Sequence, residues 1–323
     1  MNNDKVKWGV LSTAKIAINN VIPSMQKSKF CNIHAISSRS LDKVKKVAND
    51  LDIPVFYDSY EELLNDPEIE AVYNPLPNHL HVPWTLKALE AGKHVLCEKP
   101  ISITSSEAKQ LLNAQKKYPH LKVMEAFMYR FHPQWNKVKE LIKSGEIGKV
   151  HSIDSVFTYH NIDPNNVRNK SDIGGGGILD IGCYCINMSR FLFESEPLEV
   201  KSFVDYDPEF KTDRLATGIL EFENGVATFM CSTQLNHRQR AIIYGTKGYI
   251  ELNIPFNSSN EALRKMWIHK GSEVETIIFD TCDQYTLQGD AFSKSILENT
   301  PVPIPLKDSI SNMNVIDKIL NAK

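Results

Sequence analysis

Three stretches of this chain set small or charged residues where binding a nucleotide would need them. The first is GVLSTAKIA, Gly9 to Ala17. Gly9, Ser12 and Ala14, with Thr13 between them, have the spacing at which small residues let backbone N–H groups at a helix N-terminus approach a pyrophosphate. One glycine stands where three are usual, so alone the stretch fits either a dinucleotide loop or an ordinary strand-to-helix turn. As a loop it requires negative φ at Ser12 and Ala14. The second stretch is Ser37-Ser38-Arg39-Ser40. At that point an acidic side chain holds the adenosine ribose of NAD, whereas an arginine takes the 2′-phosphate of NADP. The first carboxylate comes only at Asp42, so the dinucleotide reading selects NADP, with NAD still possible, and puts Ser38 and Arg39 on the phosphate. The alternative is an exposed arginine that begins a helix. The third stretch, HVLCEKPIS, sets Glu98, Lys99 and Pro100 directly after an apolar run, and the proline stops a sheet ladder there.

These stretches need elements to position them. Val6–Leu11, Asn32–Ser37, Ala71–Asn74 and His94–Cys97 read as strands; Ala14–Lys27, Leu41–Leu51, Val82–Ala91 and Thr104–Lys117 read as helices. The alternation predicts βαβ units, hence a doubly wound parallel sheet, the Rossmann type of α/β domain, over residues 1–124. Ligands bind at the carboxyl ends of such strands. Those ends carry Ser12-Thr13, Ser38-Arg39, Pro75 with Asn78 and His81, and Glu98-Lys99, although bland loops are polar too. Thr104 and Glu107 have capping-box spacing. Beyond about residue 150 the texture changes to short strands with tight turns at Glu223-Asn224-Gly225 and Thr246-Lys247-Gly248, crossed by one helix, Ile178–Phe193. Residues 125–323 are therefore expected to form an α+β domain with a largely antiparallel open sheet, which binds substrate and carries the oligomer contact. The tail adds helices near Leu287–Glu298 and Lys307–Leu320.

Composition narrows the function classes. The chain has 323 residues and a formal net charge of −2, which gives no basic field for a nucleic acid to find. No run approaches the ~18 apolar residues of a membrane span, and the first residues show no secretory pattern. Six cysteines scattered among apolar segments read as reduced, buried thiols of a cytoplasmic protein. Cys183-x-Cys185 and His79-x-His81 lack the further ligands a metal would need, so no metal is expected. Phe127, Tyr129 and Trp135 read as core, and Arg130 and His132 as neighbours of a site.

HVLCEKPIS, MEAFMYRFHP (Met124 to Pro133) and GGGGILDIGCY (Gly174 to Tyr184) together resemble the glucose-fructose oxidoreductase and inositol dehydrogenase family (GFO/IDH/MocA) of NAD(P)-dependent oxidoreductases. The resemblance covers nearly the whole chain. It is closest to the branch of NADP-dependent D-xylose dehydrogenases and dimeric dihydrodiol dehydrogenases, through MEAFMYRFHPQ, DIGCYCIN and YTLQGDAF. It makes GVLSTAKIA the phosphate loop despite its missing glycines. The family's glutamate-lysine-proline signature falls on Glu98, Lys99 and Pro100, where the lysine is catalytic or orients substrate. The Asp-x-Gly-x-His motif falls on Asp180, Gly182 and Tyr184, with tyrosine in place of histidine, as in the xylose and dihydrodiol branch.

What this implies is hydride transfer between a cyclic polyol or aldose, D-xylose-like and oxidised at C1 to a lactone, and the nicotinamide of NADP. Alternatives are a trans-dihydrodiol dehydrogenase or dicarbonyl reductase, or a regulatory NAD(P) sensor without catalysis. Tyrosine, with a reference pKa of about 10, is a poor base unless a cation such as Lys99 favours its phenolate. Tyr184 is thus expected to move the proton and Lys99 to tune it and bind the reacting oxygen. Asp180 and Arg168 are expected to bind substrate hydroxyls, the other reading of Asp180 being a charge that favours a helix N-terminus. A homodimer or homotetramer is implied as well.

Overall fold

The computed structural model describes residues 5–258 and 260–321. The chain forms two compact units: one holds the chain to Met128 together with Asp283–Ile310, the other Tyr129–Cys282 and the chain from Ser311 on.

The first unit is built on six strands: β1 (Val6–Leu11), β2 (Cys31–Ser37), β3 (Val55–Tyr57), β4 (Ala71–Asn74), β5 (His94–Cys97) and β6 (Val123–Glu125). Their order is β3-β2-β1-β4-β5-β6 with every pair parallel, the doubly wound sheet that the alternation predicts. The order reverses between β1 and β4, which is where such sheets open a crevice for ligands. The helices are α1 (Ile22–Gln26), α2 (Leu41–Asp50), α3 (Tyr60–Asn65), α4 (His81–Glu90) and α5 (Ser105–Lys117). The single helix expected over Ala14–Lys27 is instead a π turn, Ala17–Val21, running into α1. Pro23 has no N–H and its ring would meet the carbonyl four residues back; the wider turn relieves both problems. Thr104 caps α5 by accepting the Glu107 N–H at 3.2 Å, while the Glu107 carboxylate takes the N–H of Ile103, one residue before the position a capping box would use.

A cut at residue 124 or 125 misses one part of this unit, α8 (Gln284–Leu297). The Trp8 indole N–H donates to Ser293 Oγ at 3.2 Å and its ring meets Phe292 at 5.5 Å; Thr286 Oγ1 donates to the Ser24 carbonyl at 2.7 Å. Gly289 lets the helix close on α1 and β2, since a Cβ there would lie 3.0 Å from Met25 Cγ and 3.2 Å from Cys31 Sγ. A helix from late in the chain supplies the cover that the β1 face requires.

The second unit has eight strands, β7 (Val150–His160), β8 (Glu199–Tyr206), β9 (Asp213–Phe222), β10 (Gly225–Ser232), β11 (Gln234–Gly245), β12 (Tyr249–Asn253), β13 (Arg264–Lys270) and β14 (Glu273–Phe279). Their order is β14-β13-β12-β11-β7-β10-β9-β8, antiparallel except for β7 with β10. This is the open, largely antiparallel sheet that the strand-and-turn pattern implies. Helix α6 (Pro133–Lys143) and a π turn, Ile178–Gly182, leading into α7 (Cys183–Phe193) belong to this unit, and α9 (Leu306–Leu320) closes the chain. Gly182 is glycine for contact: a Cβ would lie 2.9 Å from Cys231 Sγ on β10. Five cysteines are buried, and none of the six is in a disulfide.

Candidate active site

In the first unit the expected cofactor residues stand at the carboxyl ends of β1, β2, β4 and β5, with two corrections at β1. Gly9 lies inside the strand, and a Cβ there would come within 2.7 Å of Leu63 Cδ2 and 3.0 Å of Ile69 Cδ1, so its role is close packing on α3. Ser12, expected at negative φ, takes +82°, the left-handed region that the missing glycine would have occupied. The turn is made by serine at a conformational cost, and helical structure begins just beyond Ala14. Ser12 N–H donates to the Ser37 carbonyl at 2.9 Å, which ties the loop to the end of β2. Thr13 and Ser38 are buried there, and Arg39 is exposed, with its charge felt by Tyr60, a neighbour that sequence reasoning missed. These residues fit a dinucleotide bearing a 2′-phosphate: a tight turn, a helix start and a cation at the end of β2.

At the end of β4, Pro75 is buried and Asn78 opens a short 3-10 turn. His81 does not face a cofactor. It is 1 % exposed, with Nδ1 2.6 Å from the Pro100 carbonyl and Nε2 2.6 Å from the Leu76 carbonyl. Burial pushes its pKa down to about 4, against the pull of the two carbonyls. A neutral imidazole can donate to only one of those carbonyls. The loop after β5 is held from three sides: Tyr73 OH donates to Glu98 Oε1 at 2.6 Å, His81 lies against the Pro100 carbonyl, and Ile101 N–H donates to Glu125 Oε1 at 2.9 Å. Lys99, partly exposed, sits in the middle of this support, next to a cis peptide to Pro100.

His81, His94 and His132 are all driven down to about 4 by burial, against 6.5 for the free side chain. A histidine whose folded pKa is depressed takes up its proton only on unfolding, so stability is level above about pH 6.5 and falls as pH drops toward 4. The expected loss is up to about 3 kcal/mol per such histidine. Thermal melts from pH 7 to pH 4 should show this fall, and a shallower one for His81→Gln; an equal slope in the two proteins would contradict the assignment.

In the second unit Arg168, Asp180 and Tyr184 come together, joined by Tyr159, which sequence reasoning missed. Asp180 lies inside the π turn rather than at a helix cap. Its Oδ2 accepts from Tyr159 OH at 2.6 Å and from Arg168 Nε at 2.8 Å. The Asp180 carboxyl group is 11 % exposed and the Arg168 side chain 44 %. Asp180 raises the Arg168 pKa, and Tyr159 is raised by burial and then by the charge of Asp180, so Tyr159 stays a protonated donor. Tyr184 is 4 % exposed, and its ring is 5.8 Å from Tyr129 and Phe157 and 5.5 Å from Phe256. Arg168 also interacts electrostatically with Tyr184, which gives that phenol a cation within its own unit.

Arg130 and His132 turn away from this group: Arg130 lies over the Phe191 ring at 4.3 Å, and His132 caps α6 by accepting the Gln134 N–H at 3.2 Å. Phe127, Tyr129 and Trp135 are core. Among the described residues no three His, Cys, Asp or Glu side chains are placed to hold a metal ion, and no helix is long and apolar enough to cross a membrane.

Comparison with known proteins gives this arrangement its family. Residues 6–127 match the model of an oxidoreductase family with an NAD-binding Rossmann fold, and residues 135–251 that of the GFO/IDH/MocA C-terminal domain. The chain belongs to the GFO/IDH/MocA family of oxidoreductases. Among its members, an uncharacterized oxidoreductase of Rhizobium meliloti is 42 % identical, over 98 % of this chain and 96 % of that protein. A D-xylose 1-dehydrogenase (NADP(+)) of Haloferax volcanii is 34 % identical over 97 % of this chain and 95 % of its own. KijD10, a 3-ketoreductase from Actinomadura kijaniata solved in complex with NADP and TDP-benzene, superposes with a TM-score of 0.92 at 25 % identity, covering 98 % of this chain and 97 % of that one. In GFO/IDH/MocA terms, the first unit holds the nucleotide half of the machinery and the second holds a hydrogen-bonded acid, cation and phenol suited to binding hydroxyls and moving a proton.

Proposed function

We propose that this GFO/IDH/MocA oxidoreductase uses NADP to oxidise a sugar-like cyclic polyol, D-xylose-like and at C1, to a lactone. The observation that carries the reading is the Tyr159–Asp180–Arg168 group beside Tyr184. When bound, the nicotinamide accepts the hydride that leaves the carbinol carbon. Tyr184 takes the hydroxyl proton as the carbon–oxygen bond becomes a carbonyl, and a cation near the phenol favours its charged form. Asp180, oriented by Tyr159 and Arg168, accepts a hydrogen bond from a neighbouring substrate hydroxyl, and Arg168 supplies donors to ring oxygens. Lys99 supplies positive charge for the reacting oxygen, as the family resemblance implies. Ser12, Thr13 and Ala14 present backbone N–H groups to the pyrophosphate, with Pro75, Asn78 and Glu98 at the neighbouring strand ends, and Ser38 and Arg39 take the 2′-phosphate.

The test is the initial rate of NADP reduction across aldopyranoses, inositols and cyclic trans-diols, with NAD in parallel. Turnover of an aldopyranose with NADP well ahead of NAD is the expected result. Turnover of trans-diols alone would move the substrate to dihydrodiols, and binding of NADPH without turnover of any of these would favour the sensor reading.

The outer face of the eight-stranded sheet carries Phe203 at 64 % and Ile219 at 49 % exposure. Large side chains left this exposed suit burial against a second copy, and we propose a homodimer or homotetramer through this face. Gel filtration that returns a monomer at every working concentration would refute it.

A further inference from the structure

Asp213 opens β9 and is 3 % exposed. Its Oδ2 accepts the Ile178 N–H at 2.6 Å, and the backbone N–H groups of Gly177 and of Asp213 itself favour the charged carboxylate. The glycine run before Ile178 is shaped around it. Gly176 has φ +118°, and a Cβ there would lie 1.9 Å from Asp213 Oδ1; at Gly177 it would lie 3.3 Å from Oδ2. The run is tied in the other direction as well: Gly175 N–H donates to the Lys170 carbonyl at 2.9 Å and Gly176 N–H to the Arg168 carbonyl at 2.8 Å. A Cβ at Gly175 would stand 2.6 Å from both of those carbonyls. The near part of the run therefore holds the backbone of Arg168, and a buried carboxylate grips its far end, where it leads into the turn that carries Asp180.

We propose that Asp213 positions the Arg168–Asp180 pair by gripping the glycine run between them, so that guanidinium and carboxylate meet in fixed register. The inference rests on the reading of that pair as substrate-binding.

The ionised carboxylate is the stronger acceptor for the Ile178 N–H. Asp180 is the titratable group whose charge it feels, and its own charge reaches Tyr159, Tyr206 and Cys231; each of the four is an acid. Burial above all, with the charge of Asp180 adding, pushes Asp213 up to about 7 against the pull of the nearby backbone N–H groups. The sign for global stability follows: an acid whose pKa is raised on folding, from 3.8 to about 7, stabilises the fold fully below its unfolded pKa and loses that contribution as pH rises through its folded one. Above neutral pH the grip tightens while the fold as a whole bears a buried charge. Asp213→Asn, which keeps an acceptor but not the charge, separates the two effects.

The deciding experiment is hydrogen exchange at Gly175–Ile178 in the full chain from about pH 6 to pH 8.5, corrected for intrinsic rates, in wild type and Asp213→Asn. Protection in wild type should rise at least about tenfold across that range, and in the variant it should stay low and flat. The melting temperature of the variant at pH 8 should equal or exceed that of wild type. On the best substrate the variant should raise KM about tenfold or more with kcat little changed, the mark of lost binding. Wild-type protection that is flat with pH would overturn the proposal even if the variant failed to fold. So would variant protection and KM equal to those of wild type. If no substrate is turned over, the functional reading fails on its own, and the exchange data still decide whether Asp213 grips the run.

Discussion

Tyr184→Phe is expected to cut kcat by about 10²–10⁴-fold, the usual worth of a positioned general acid or base. The ring is 4 % exposed and packed among Tyr129, Phe157 and Phe256, so removing only the hydroxyl leaves the packing intact. The melting temperature should shift little, and that separates a chemical loss from a structural one. Steady-state rates at saturating NADP, with Lys99→Met in parallel, assign the proton. If Tyr184→Phe keeps most of its turnover while Lys99→Met does not, the base is the lysine.

Trp8→Ala is expected to destabilise the first unit by about 3–5 kcal/mol, the range for deleting a buried tryptophan. Trp8 is fully buried, meets Phe292 and donates to Ser293, so the truncation opens a cavity between β1 and α8 and leaves a hydroxyl without its donor. Trp84, on α4, is the contrast: half-buried, edge-on to Tyr60 at 4.9 Å and covered by the Lys87 ammonium at 4.0 Å, it should cost much less when truncated. Urea unfolding of both variants gives the comparison; equal midpoints would mean that α8 does not hold the unit together.

The sequence showed most clearly what depends on neighbours along the chain. β1, β4 and β5 have the bounds their apolar runs imply, because strands buried on both faces are written as nearly continuous hydrophobic stretches. β3 and β6, three residues each, are too short to show a period, and β13 and β14 carry charges through RKMWIHK and EVETIIF that hide the alternation. Arg168, Asp180 and Tyr184 stood out only through the resemblance to a family. Tyr159 was silent because a tyrosine at a strand end reads first as a strand former. Asp213 could not be read at all: its partner is the Ile178 N–H, well upstream, and the only trace is that the residues opposite it are glycines. The positive φ of Ser12 was hidden for a similar reason, since residue type constrains backbone conformation only loosely when the surrounding sheet dictates the turn.

The return of α8 to the first sheet also has a bearing on how the protein is made. About 150 residues, Tyr129–Cys282, are translated between the last early strand and the helix that covers Trp8. At ~5–20 residues per second this is roughly 8–30 s in which the nascent sheet exists with one face uncovered. During that interval Trp8 and Cys31 lack Ser293, and Ser28 lacks Asp290. For this chain the amino-terminal segment is the first to be synthesised but cannot finish folding until residues near the carboxyl end have been made.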